Sequence, residues 1–336
     1  MKAIVLRAPG QLGLDTLERP DPGPNRVLVR VTHSGICGTD LGIFSGRIPV
    51  KYPRVMGHEI AGEIVEGGDS IKAGTRVIID PAFNCGTCFV CKEGLFNLCP
   101  NGGLIGRDTD GGFGEYLAVP RKLVFPLPDS LENKNVPLIQ VLTTCYHGQR
   151  RIKIRPGDTV VVLGLGVGGQ LHVQLAKAAG AKVIGVARSA WKRGLAAKLG
   201  ADIVLPSDAT TVGAVKEATD GRGADIVIEC TGKLPVLSEG IAMARPGATL
   251  LLFGITSAKE GALPFYDLYF KELTVQNGRA AVGADFEPSI ALAASGKVQL
   301  DPLITHRLPI TEAVESMKML ENDVDGRMKI ILENTF

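Results

Sequence analysis

The chain has 336 residues, 45% hydrophobic and 21% charged, which suits two ordinary domains with real cores and excludes a disordered chain. A formal net charge of +2 excludes the basic footprint of a nucleic-acid partner. With no run of eighteen apolar residues and no charged-then-apolar leader, it reads as a soluble cytoplasmic protein with no membrane partner.

Residues 1 to about 140 read as short strands between Gly/Pro turns, among them Val27–Val31 and Arg76–Asp80, with PDPGP at 20–24 and Gly67-Gly68 as punctuation. A possible helical turn follows Cys37. The character changes near Thr143. A strand over Thr159–Leu163 leads through a glycine loop to a helix over Gln170–Ala179. A strand at Lys182–Ala187, a helix at Ala190–Leu199 and strands at Asp202–Leu205, Asp225–Cys230 and Ala248–Gly254 follow. This alternation predicts an α/β fold with a doubly wound parallel sheet. Beyond residue 283 come two amphipathic helices, Phe286–Ser295 and Thr311–Asn322, and a last strand, Met328–Leu332.

Seven cysteines do not spell a disulfide framework here, because four of them cluster as Cys85-x2-Cys88-x2-Cys91-x7-Cys99. Four thiolates within fifteen residues suit a tetrahedral zinc with no open position, a structural site. A second cluster pairs Cys37, in GICGTD, with His58 and Glu59, in GHEIAG. Cys and His 21 residues apart can meet on neighbouring turns and leave coordination positions open, as a catalytic zinc requires. A lone His58 would read as a satisfied core histidine and a lone Cys37 as a small hydrophobe; together with Glu59 the ligand reading prevails. His33, His172 and His306 read as structural, and His147 as a junction-helix residue.

Gly164, Gly166 and Gly169 form G-x-G-x-x-G, with Val167 and Gly168 between them, after the apolar strand TVVVL and at the opening of a helix. In that context the first glycine allows a tight turn and the second a close approach of backbone to a pyrophosphate. The third allows close helix–strand packing. The second strand ends at Ala187, where an NAD enzyme carries an acid for the ribose hydroxyls. Ala187, Arg188, Ser189, Lys192 and Arg193 offer no carboxylate to repel a 2′-phosphate and several cations to bind one, so NADP is expected over NAD.

Together these features resemble the zinc-containing medium-chain alcohol dehydrogenases, a family that includes sorbitol, threonine and secondary-alcohol dehydrogenases. The likeness spans essentially the whole chain: Gly57-His58-Glu59 with Gly62, Gly68 and Ile71 in register, the four-cysteine lobe, the glycine loop, and Asp301–His306. It implies a GroES-like, mostly-β catalytic domain, discontinuous over 1–142 and 283–336, around a Rossmann domain over 143–282. It also implies a homodimer or homotetramer paired through the Rossmann sheets. By position, Cys37 and His58 would bind the catalytic zinc and Thr39 would bond the substrate oxygen and start a proton relay. Thr144 would lie against the nicotinamide, and Thr231 near a ribose.

Three positions depart from the family pattern. Gln140 stands where relatives place an anionic metal ligand, and a neutral amide replaces it poorly. Glu59 is therefore expected to ligate the metal directly, with Gln140 holding water beside it. Gly42 replaces a histidine that finishes the relay in some relatives, so the proton would leave through Thr39 and a water chain, a ribose hydroxyl or Asp40; Ala187 replaces the NAD-selecting acid. The expected activity is hydride transfer between a secondary alcohol or polyol, or the matching ketone, and NADP(H). The pocket would draw on Thr39, Phe44, Ile48, Ile105, Phe113 and Ile255. Two alternatives are a zinc-free quinone or enoyl reductase on the same fold and a non-catalytic cofactor-binding relative.

Overall fold

The computed structural model describes residues 1–66, 71–256, 258–322 and 326–336; Gly67 and Gly68, assigned above to a turn and to the family pattern, lie outside them. The chain divides into two compact units: residues 1–141, 281–295 and 300–336, and residues 142–280 with 296–299.

In the first unit, a sheet runs in the order Val124–Pro126, Arg76–Ile79, Glu59–Glu66, Arg26–Gly35, Lys329–Glu333 and Ile304–Pro309, with Tyr116–Pro120 also paired to Arg26–Gly35. Strand Arg26–Gly35 is its hub. Along its last residues it pairs antiparallel with both neighbours, setting Gly35 opposite Glu59 on one side and opposite Ile331 on the other. Residues distant in sequence are thereby brought to one point. Ile36 and Ile43 flank Cys37, Met56 lies just before His58, and Ile330 follows Lys329; all are buried in one cluster with Phe113. Packing of that density leaves the side chains among them little freedom.

The second unit carries six strands, all parallel, in the order Ile203–Leu205, Lys182–Val186, Thr159–Leu163, Ala224–Glu229, Ala244–Leu252 and Thr274–Asn277. Counted along this unit that is 3-2-1-4-5-6, the doubly wound order, whose switch point lies between Thr159–Leu163 and Ala224–Glu229. Both of these strands are buried at every position, as a sheet covered on both faces demands.

The expected elements form, with shifted ends. The helix after the glycine loop runs Val167–Ala178, three residues earlier than Gln170, because Gly168 and Gly169 carry no helix signal although the fold places them in its first turn. The strand expected at Ala248 begins at Ala244, and the helix expected at Thr311 begins at Ala313, after a 3-10 turn over Ile310–Glu312. Helix Phe265–Phe270 and edge strand Thr274–Asn277 were not individually placed from sequence.

Candidate active site

Strand Arg26–Gly35 hands the chain to Cys37, whose extended backbone caps the helix Gly38–Phe44. Asp40, in the first turn of that helix, accepts the Cys37 N–H through Oδ2 at 2.9 Å. Its other oxygen, Oδ1, lies 3.4 Å from Nδ1 of His58. His58 follows Gly57, which has φ +91° and carries the Phe113 ring where a Cβ would stand; no L side chain suits either condition. Gly35 is glycine for a related reason. A Cβ there would fall 1.9 Å from Oε2 of Glu59.

The Cys37 sulfur, a His58 ring nitrogen and a Glu59 carboxylate oxygen all lie within 4.8 Å of one another. His58 and Glu59 are both buried, with Nδ1 of His58 facing Asp40 and the Glu59 carboxylate facing the Lys329 ammonium. Burial pushes the Cys37 thiol up, but the hydrogen bond and charge of His58 outweigh it and the net is a lowered pKa. For His58, burial works downward, yet Asp40 and Cys37 together hold it well above the usual histidine range. A metal bound here needs Cys37 as thiolate and His58 with a free ring nitrogen, so binding releases the protons these groups carry. Sulfur, imidazole and carboxylate donors suit zinc.

The other four cysteines also gather, with all sulfurs within 4.8 Å. Cys88 and Cys99 are 3.7 Å apart and Cys85 and Cys99 3.5 Å apart. A zinc tetrahedron with ~2.3 Å bonds has edges of about 3.8 Å, so the set fits a closed zinc site. Backbone N–H groups of Thr87 and Cys88 hold the Cys85 thiol down to about 5, while burial pushes Cys91 up to about 12. All seven cysteines are free of disulfides.

At the glycine loop, Gly164 has φ +92°, and a Cβ on it would meet the Thr231 methyl at 2.6 Å. A Cβ on Gly169 would lie 1.9 Å from the Gly164 carbonyl oxygen. Gly166, by contrast, has open space beside it, at the amino end of the helix, where a pyrophosphate would approach. Glu229 accepts hydrogen bonds from the Thr231 N–H at 2.6 Å, from the Thr231 hydroxyl and from the Gly232 N–H. Gln170 donates to the Leu165 and Lys192 carbonyls at 3.3 and 2.8 Å and so ties the loop to the Arg188–Arg193 segment. Arg193 donates to the carbonyls of Ala187 and Arg188, both at 2.7 Å, and Lys192 lies over the Trp191 ring. Ser189 caps the helix Ala190–Lys198 and Arg188 is exposed.

The cofactor-loop residues fit a dinucleotide, and the four-cysteine and Cys37–His58–Glu59 clusters fit zinc. Two family models match the chain: the alcohol dehydrogenase GroES-like domain over residues 23–129, and the zinc-binding dehydrogenase domain over 154–295. The chain belongs to the zinc-type medium-chain alcohol dehydrogenases. It is 32% identical to sorbitol dehydrogenase of Halalkalibacterium halodurans over 93% of this chain and 94% of that one. Among solved structures it resembles a zinc-binding dehydrogenase from Sinorhizobium meliloti 1021 bound to NADP, with TM-score 0.92, 34% identity and coverage of 99% and 98%. An alcohol dehydrogenase from Escherichia coli CFT073 complexed with NADH gives TM-score 0.92 at 30% identity, covering 99% of both chains. The protein is an oxidoreductase acting on CH–OH groups.

Within this dehydrogenase Thr39 is half-buried in the first helical turn beside Cys37, while Gln140 and Thr144 stand half-buried one turn apart on helix Pro137–Arg150. Gly42 is no simple loss of a relay side chain, because a Cβ there would meet Ile48 Cδ1 at 2.7 Å. Two expected pocket residues need correction. Phe113 is wholly buried against Gly57 and Ile105 belongs to a second core cluster, so both support the site rather than line it. Phe44 and Ile48 are half-buried and Ile255 is exposed. Sequence reading missed Lys329 as a neighbour of this cluster. Its one signal is a lysine opening the apolar run KIIL, here buried against Glu59.

Proposed function

We propose that this dehydrogenase moves a hydride between a secondary alcohol or polyol and NADP(H), with one catalytic and one structural zinc per chain. The observation that carries the reading is the convergence of Cys37, His58 and Glu59 within 4.8 Å, with Asp40 buried behind them. Zinc held there supplies Lewis acidity toward an alcohol or carbonyl oxygen, and the nicotinamide supplies or accepts the hydride.

The remaining work falls to the protein. Cys37 and His58 are the metal ligands, Glu59 is the third, and Gln140 holds water beside them. Asp40 orients the His58 ring through its Nδ1 face, fixing which nitrogen is left for the metal. Thr39 bonds the substrate oxygen and takes the first step of proton removal. With Ile48 filling the space beside Gly42, the proton leaves from Thr39 by solvent or a ribose hydroxyl.

Gly164, Gly166, Val167, Gly168 and Gly169 present backbone N–H groups and a helix amino end to the pyrophosphate. Thr144 faces the nicotinamide and Thr231, set by Glu229, a ribose. Arg188 and Arg193, with Lys192 and Ser189, receive the 2′-phosphate at a strand end where Ala187 offers no repelling acid. The structural relative bound to NADP supports this preference, and the one holding NADH makes the kinetic comparison necessary.

A homodimer or homotetramer is supported by helix Phe265–Phe270, where Phe265, Tyr266, Tyr269 and Phe270 are 63–76% exposed, next to the open edge strand Thr274–Asn277. A cytoplasmic location is supported by seven thiols without a disulfide. No described helix is long and apolar enough to cross a membrane.

The deciding experiment is metal analysis joined to kinetics on secondary alcohols, sugar alcohols and their ketones with both nicotinamides. Two zincs per chain and NADPH-linked turnover are expected. A single zinc would remove the catalytic-metal reading, and a wide preference for NAD would remove the cofactor assignment.

A further inference from the structure

Lys329 is a full positive charge buried beside the candidate metal ligands, and the hydride chemistry above has no use for it. Its side chain is 4% exposed. The ammonium donates to the Ile36 carbonyl at 2.9 Å, one residue before Cys37, and to Oε1 of Glu59 at 2.5 Å. It also lies against Oε2 of Glu59, so one ammonium faces both carboxylate oxygens. Glu59 is wholly buried, and its carboxylate rests over the bare α-carbon of Gly35. An ammonium placed this way next to a cation site works against the cation, since like charges in a low-dielectric pocket repel strongly.

Charges decide what the pair can do. With Cys37 as thiolate and His58 and Gln140 neutral, a divalent ion keeps one uncancelled positive charge. Glu59 cancels it, and Lys329 restores a positive charge to the same pocket. With the ammonium against both oxygens, Lys329 and the metal compete for one carboxylate.

We propose that Lys329 is a positioning residue that meters the engagement of Glu59 with the catalytic metal, its ammonium lying against both carboxylate oxygens and competing with the metal for them. This rests on the catalytic-zinc reading. Removing the ammonium then acts in one direction by two routes. The opposing charge is gone, and both carboxylate oxygens become free to turn on the metal. The ion is held more tightly, its coordination becomes more crowded, and substrate oxygen competes less well for it. A lysine that merely fills space predicts the opposite sign, because its loss leaves a hole and an unpaired Glu59 that loosen the site.

The test uses the full-length zinc enzyme and its cobalt-substituted form. In Lys329→Met, transfer of the catalytic zinc to a chromophoric chelator slows by roughly tenfold, the scale of outer-shell effects on metal affinity. The cobalt d–d bands lose intensity as the coordination number rises, and KM for the alcohol increases more than kcat falls. Lys329→Arg, which keeps the charge, stays near wild type on all three measures, whereas Glu59→Gln speeds zinc release. Lys329→Gln, which retains a donor to the Ile36 carbonyl, gives the same test if the methionine variant does not fold. Wild-type protein holding only the structural zinc would remove the metal reading and this proposal with it. Two zincs in wild type, with release from the uncharged variants at the wild-type rate or faster, would overturn the role of Lys329 and leave the metal reading standing.

Discussion

Asp40 serves a helix cap and a candidate metal ligand with one carboxylate. Oδ2 takes the Cys37 N–H at 2.9 Å and Oδ1 stands 3.4 Å from His58, both in a fully buried position. Asp40→Ala removes both, and is expected to lower zinc affinity at Cys37 and His58 by about 10–100-fold. It also costs on the order of 1 kcal/mol from the lost cap. Asp40→Asn keeps an acceptor for the cap but loses the charge facing His58. Chelator titration should therefore show weakened zinc in both variants, and thermal melting a loss in the alanine variant alone. Cys37, His58, Glu59 and the four clustered thiols were legible in the sequence because residue type and spacing speak for each. Asp40 was legible only as a neighbour of Cys37 and a possible exit for the relay proton, not as the partner of His58. Lys329 was invisible, since its partners Ile36 and Glu59 stand 293 and 270 residues away and only strand register joins them. Ile105 and Phe113 were misread because an apolar residue near a site looks the same in sequence whether it lines a pocket or packs behind it.

Among the elements, the glycine loop separates two kinds of glycine that a motif treats alike. Gly169 is required by the fold: a Cβ there would sit 1.9 Å from the Gly164 carbonyl, a backbone atom that cannot swing aside. Gly169→Ala should therefore destabilise the protein by roughly 1–3 kcal/mol, the usual cost of overpacking, and weaken NADPH binding as the loop opens. Gly166 is bordered by open space, so Gly166→Ala should melt with the wild type while its methyl group obstructs the pyrophosphate. Fluorescence titration with NADPH beside thermal melting distinguishes the two; parallel loss of stability in both variants would show that Gly166 too is structural. The same elements show where periodicity fails as a guide. Continuous apolar strands such as TVVVL, bounded by turn residues, were read almost to the residue. Helix Phe265–Phe270 escaped because FYDLYF keeps neither a buried nor a polar face, and none of its residues is fully buried. In the proposed oligomer this pattern is the surface that a second copy covers. Tyr269→Glu with Phe270→Ser should shift the protein toward monomer in light scattering; an unchanged mass would exclude this patch from the interface.

At the scale of the whole molecule, the first unit is completed by chain that returns after residue 280, and one buried carboxyl registers that return. Asp80, 4% exposed at the end of strand Arg76–Ile79, accepts the Ala82 N–H at 2.9 Å. Burial pushes its carboxyl up to about 7, Asp285 of the returning segment adds to the rise, and Lys122 opposes it. Asp285 is itself buried, and the neighbouring Phe286 ring stacks on Phe125 with centroids 4.6 Å apart, so the segment stays packed in the unit. A raised carboxyl pKa means that between about pH 4 and pH 7 the folded protein keeps a proton that the unfolded chain has released. Stability from this group is therefore complete below pH 4, falls by up to about 1.4 kcal/mol for each pH unit through that window, and levels off above 7. Asp80→Asn retains an acceptor for Ala82 but has no proton to lose, so its stability should decline less steeply from pH 4 to 7 and exceed that of wild type at pH 8. Denaturant unfolding at intervals across this range, with zinc held constant, measures the difference. Identical profiles for variant and wild type would mean that Asp80 ionises in the folded protein at its ordinary value of 3.8, and that the carboxyl is solvated where the fold encloses it.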